Sequence, residues 1–171
     1  MDRAAHCGQV ASPWTMLAVE MKDVVRECYE EVAAGGFTVV AIVGDDHGCD
    51  WAYTIGLGHN FAHPELLIAG LDAPVAGAVL ELIGTGVAEG RDIAAETVVG
   101  FDGGLELRAR RIDPIWCAQG DWFNLGRQVL AELGLRWPAS MQLTWPDSNG
   151  RFPQRSDDPA ALLRQPLLFA T

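Results

Sequence analysis

With 171 residues, 49% of them hydrophobic and 20% charged, the chain has the length and composition of one folded domain with a sizeable core, not of a disordered segment. A formal charge of −11 would repel phosphates, so no nucleic-acid partner is expected. No apolar run approaches the roughly 18 residues of a membrane span, and the N-terminus lacks a basic segment followed by an apolar stretch, so the expected location is cytoplasmic.

Eleven arginines stand against the single Lys22, and Ala and Gly are abundant, a bias typical of a GC-rich bacterial genome. Cys7, Cys28, Cys49 and Cys117 are scattered without a CxxC pair, which favours free thiols. Residues 1–17 show no period and read as a loosely attached arm; 18–171 form the domain. From Glu20, Met21, Val24, Val25, Cys28 and Val32 fall at helical spacing, and Gly35-Gly36 ends the helix. Phe37–Val43 is a buried-strand run, and the Asp- and Gly-rich turn 44–50 leads into a second strand, Trp51–Leu57. Glu65–Leu71 is a third strand. Asp72 and Pro74 start a helix carrying Val75, Val79, Leu82, Ile83 and Val87.

Thr97–Phe101 and Leu105–Ile112 flank Asp102-Gly103-Gly104, a hairpin signature, and Leu105, Leu107 and Ala109 alternate with Glu106, Arg108 and Arg110. Pro114 closes the hairpin. Asp121 then caps a helix through Leu133, ended by Gly134, and Met141–Trp145 is the last strand before a Pro-rich tail. The expected fold is a single α+β domain: a mostly antiparallel sheet of about six strands with three main helices packed on it.

The densest chemistry lies in 51–66, WAYTIGLGHNFAHPEL. His59 and His63 have the HxxxH spacing of a helical metal site, but Gly56, Gly58 and Pro64 argue against a helix there. Such a site would also need a third ligand from Glu65, His47 or Cys49, and no metal ligand set is assigned. Pro64 biases His63 toward extended backbone, which would place Glu65 on the same side. A carboxylate beside an imidazole makes a general base, or a structural pair that locks the loop. Tyr53 shares a strand face with core residues and needs a polar partner; Thr54 and Gly56 leave room for a neighbouring element or a ligand. In Trp145–Pro153, Asp147 and Gly150 suit a turn, and Arg151 either braces it or holds an anion. Arg108, Arg110 and Arg111 form a basic cluster, either solvated and paired or open to a carboxylate or phosphate.

Tyr53-Thr54-Ile55-Gly56-Leu57 followed by His59-Asn60-Phe61-Ala62-His63-Pro64-Glu65-Leu66, together with Gln142–Asp147 and Gly150–Pro153, resembles the bacterial domain of unknown function 4262 family over roughly residues 35–153. The resemblance implies a soluble bacterial single-domain protein and singles out His59, His63, Glu65, Asp147 and Arg151. Ala62 replaces an expected glycine and Gln154 an expected aromatic. Pro114-Ile115-Trp116-Cys117 lacks the family's histidine-tyrosine pair, which makes Cys117 a local specialisation.

The expectation drawn from all this is a small-molecule site where the histidine loop meets the C-terminal turn. His63 would be the acid–base group, with Glu65 its orienting partner and His59 an acid–base or polar contact. Tyr53, Thr54, Asn60, Asp147, Arg110 and Arg151 would contact the ligand, Arg151 anchoring its anionic group. A tailoring enzyme of bacterial secondary metabolism fits that description. The alternatives are a non-catalytic module that binds a protein partner or a second copy of itself, and a haem- or metal-binding protein.

Overall fold

The computed structural model describes residues 13–46, 48–100, 104, 106–118, 121–153 and 159–169. Helix α1 (Pro13–Ala33) leads through Gly35, at φ +92°, into β1 (Thr38–Ile42). Then come β2 (Trp51–Ile55), a one-turn helix α2 (Leu57–Asn60), β3 (Glu65–Ala69) and α3 (Ala73–Ala88). The second half runs β4 (Val98–Gly100), β5 (Glu106–Arg111), α4 (Pro114–Ala118), α5 (Asn124–Glu132), β6 (Ser140–Thr144) and α6 (Pro159–Arg164).

The six strands form one sheet in the order β1-β2-β3-β6-β5-β4. Neighbours linked by short loops pair antiparallel, as do β5 and β6. Only β3 and β6 are parallel, Glu65 opposite Ser140 and Leu67 opposite Gln142, because the long connection between them is enough for a crossover. The expected α+β domain with a mostly antiparallel sheet is the observed one.

Side-chain alternation splits the core in two. On one face Tyr53, Ile55, Leu67 and Ala69 pack with Val25, Cys28 and Val32 of α1 and Val129 and Leu130 of α5. On the other, Ala52, Leu66, Ile68, Leu107, Met141 and Leu143 meet Ala76, Leu80, Ile83 and Val87 of α3. All five residues of β3 are buried, as expected of a central strand covered on both sides.

Several expectations shift. Among the described residues the helices number six: beside the three longer ones stand α2, α4 and α6, too short to show a period. The expected arm is helical from Pro13; residues 1–12, His47, the hairpin tip 101–103 and Gln154 lie outside the described residues. Met21 and Val24 are exposed, so the buried stripe of α1 is Val25, Cys28 and Val32. Helix α5 starts at Asn124, not after Asp121. Asp72 occupies the N-cap of α3 without a side-chain cap bond. Asp50 supplies the carboxylate instead: Oδ2 accepts the Ala73 N–H at 2.8 Å and Oδ1 the Gly44 N–H at 2.9 Å. Those two donors hold its carboxyl below the usual value.

Candidate functional site

Glu65 is the chemical centre of the histidine loop. Its side chain is fully buried, and three donors converge on it: the Thr54 hydroxyl at 2.6 Å and the Gly56 and Gly58 N–H groups at 2.9 Å each. The Leu66 N–H in turn donates to Thr54 Oγ1 at 2.9 Å. Burial pushes the Glu65 carboxyl up to about 7, outweighing the hydrogen bonds that pull it down. Gly56 holds φ +111°, and a Cβ there would lie 2.8 Å from the Gly36 carbonyl and 3.1 Å from the Val32 side chain, so the space beside Gly56 is filled by the last turn of α1 and the segment after it.

The two histidines separate. A single helical turn does form, at Leu57–Asn60, contrary to the expectation of none, but it stops before Ala62 (φ +53°), so the imidazoles share no helix face. His59 is exposed. His63 is buried and does not pair with Glu65: Nδ1 lies 2.8 Å from the Pro64 carbonyl and Nε2 accepts the Ile93 N–H at 3.2 Å. The ring is therefore the Nδ1–H tautomer, with both nitrogens committed, and the proposed acid–base pair is replaced by two separate structural locks. Asn60 also faces inward, its Nδ2 donating to the carbonyls of Val32 (2.9 Å) and Gly36 (2.6 Å) and so closing the end of α1.

The remaining candidates are held by their own neighbours. Tyr53 is buried between Phe123 and Trp137, and its hydroxyl accepts the Gly126 N–H at 3.2 Å, which meets its need for a polar partner. Asp147 braces its turn through Oδ1, accepting the N–H groups of Asn149 (2.8 Å) and Arg151 (2.9 Å). Arg151 is exposed, and Arg110 pairs with Glu96 and lies over Phe169. The parallel register also sets the histidine loop at the Ser140 end of β6, whereas 145–153 leave from its Thr144 end. A five-residue strand, on the order of 13 Å, lies between them. The two motifs do not share a site.

A cavity of about 830 Å³ opens instead at the Ser140 end of β6, lined among others by Arg111, Asp113, Cys117, Arg127, Arg136 and Trp137. Its aromatic wall is rigid. Trp137 stacks on Phe123 at 4.8 Å and donates Nε1–H to Ser140 Oγ at 2.9 Å, and a Cβ at Gly126 would strike the Trp137 ring. Arg127 Nη1 donates to the Cys117 carbonyl at 3.3 Å, fixing α4 against α5. Burial raises the Cys117 thiol above its ordinary value despite the nearby Ser140 hydroxyl, so it is a neutral thiol at pH 7.

The Glu65 knot reaches this cavity through the 134–139 loop. The Glu65 N–H donates to the Ala139 carbonyl at 3.1 Å, and Pro138 packs so closely on Gly58 that a Cβ there would sit 2.6 Å from Pro138 Cγ. Both Pro138 and Ala139 line the cavity. Among the described residues, no three His, Cys, Asp or Glu side chains converge as a metal site would require.

Residues 31–158 match the family described as "Domain of unknown function (DUF4262)". The chain belongs to this family. No curated protein and no solved structure matches it. Within the DUF4262 span lie the Glu65 knot, the whole cavity and the Asp147 turn. Sequence reasoning singled out Cys117 and Arg111 but passed over Arg127, Arg136 and Trp137. The guanidiniums come from β5, α5 and the loop before β6, so only the fold gathers them.

Proposed function

We propose that this DUF4262 protein binds a small molecule with an apolar body and an anionic group, in the cavity between α4, α5 and the 134–139 loop. The observation that carries this reading is the lining: an apolar wall of Leu135, Trp137 and Pro138 with Arg111, Arg127 and Arg136 around it, in a chain of net charge −11. Forked donors beside an apolar surface recognise carboxylates or phosphates by charge-assisted hydrogen bonds. The volume suits a drug-sized ligand. His63 and Glu65 serve as positioning residues in this reading, since their polar atoms hold the loops and do not face the cavity.

Calorimetric titration with 2-naphthylacetate and with its neutral amide tests the proposal. Saturable binding of the acid, weakened about tenfold or more in the amide and in Arg136→Gln, is expected, since one charge-assisted hydrogen bond contributes about 1.5–3 kcal/mol. Equal affinity for acid and amide, or no saturation by either, would overturn it.

A further inference from the structure

A second cavity, of about 530 Å³, lies on the other side of α4. Its lining includes Cys49, Trp51, Trp116, Asp121, Trp122 and Leu163, so half of the six tryptophans in the chain meet here. Trp51 and Trp122 form a corner, their ring centroids 5.3 Å apart and their planes at 66°. The corner is fixed, because Trp51 Nε1–H donates to the Trp122 carbonyl at 3.1 Å. Trp116, on α4, is 41% exposed and adds a third indole.

Among the described lining residues Asp121 is the only charged one. Its carboxylate makes no hydrogen bond or ion pair among the described residues; only its backbone carbonyl is engaged, accepting the Asn124 N–H at 3.4 Å. An indole ring carries a negative quadrupole and attracts cations that hold little water, and three indoles in the lining with one carboxylate suit a methylated ammonium group far better than an anion or a hydrated metal ion. A neutral apolar ligand would use the indoles but not Asp121.

We propose that this cavity is an aromatic cage for a small quaternary ammonium compound, with Trp51, Trp116 and Trp122 around the cation and Asp121 balancing its charge. The cage is distinct from the arginine-lined cavity: α4 presents Cys117 and Ala118 to one and Trp116 to the other.

Choline and its neutral isostere 3,3-dimethylbutan-1-ol, titrated separately against the full chain with tryptophan fluorescence as readout, decide the matter. Choline is expected to give a saturable change, with the isostere at least about fivefold weaker. Trp116→Ala and Asp121→Asn, both at exposed positions, should each weaken choline about threefold to tenfold while leaving the circular dichroism spectrum unchanged. The proposal is overturned if the isostere matches choline, if no saturation appears up to about 100 mM, or if both variants bind choline as the parent does.

Discussion

At the scale of single residues, Glu65 and His63 show how polar groups that look catalytic can be fully used by the fold. The Glu65 carboxyl ordinarily titrates at 4.5 and is raised to about 7 in the folded protein. Below about 4.5 both states are protonated and the group costs nothing. As the pH climbs from 4.5 to 7 the unfolded chain ionises first, so folding is progressively disfavoured, by on the order of 3 kcal/mol once the pH exceeds 7. Denaturant unfolding between about pH 5 and 8 should therefore show stability falling with pH in the parent and falling less in Glu65→Gln; parallel profiles would contradict this. His63→Ala removes the acceptor of a buried N–H at Ile93. It should destabilise the protein by about 1–3 kcal/mol, read as a lowered midpoint in the same assay.

Among the elements, α2 and the 134–139 loop are coupled through one contact. Gly58→Ala would push its Cβ into Pro138, a backbone-fixed ring that cannot swing away. The expected cost is about 1–3 kcal/mol, together with weaker binding in the arginine-lined cavity, since Pro138 is part of its wall. Gly90→Ala, where nothing lies within 4 Å of the added Cβ, should leave binding unchanged even though its φ of +98° strains the new side chain. Unchanged binding in Gly58→Ala would uncouple the loop from the cavity. The longer elements were legible because their periods were: the run Phe37–Val43 contains β1, Leu107 and Ala109 alternate with Arg108 and Arg110, and of the α1 stripe Val25, Cys28 and Val32 are buried while Met21 and Val24 are exposed. A four- or five-residue helix such as α2 or α4 spans too few turns to show a stripe.

Across the whole molecule, the insertion of β6 between β3 and β5 decides where chemistry can occur. It sends the histidine loop and the Asp147 turn to opposite ends of the sheet, although the two motifs read in sequence as natural partners. The cavity's Arg111, Arg127 and Arg136 come from β5, α5 and the loop before β6, and no local pattern joins Arg111 of the basic cluster to the other two. Local spacing identified Glu65 and Asp147, because each satisfies donors close by in the chain or on an adjacent strand, whereas the Ile93 donor to His63 and the two acceptors of Asn60 lie 24–30 residues away. It could not identify the cavity, whose members share no period and meet only through long-range packing, with Arg111 brought to the start of β6 by the antiparallel β5–β6 pairing.

The claim that the arginine-lined cavity is the binding site is tested most directly by locating a bound ligand. Two-dimensional amide and indole NMR spectra of the chain titrated with 2-naphthylacetate should show the Trp137 indole N–H and the amides of residues 111–118 and 135–140 shifting together and saturably, with residues 145–153 unmoved. Shifts centred on 145–153 or on His59, or no saturable shift anywhere, would contradict the account.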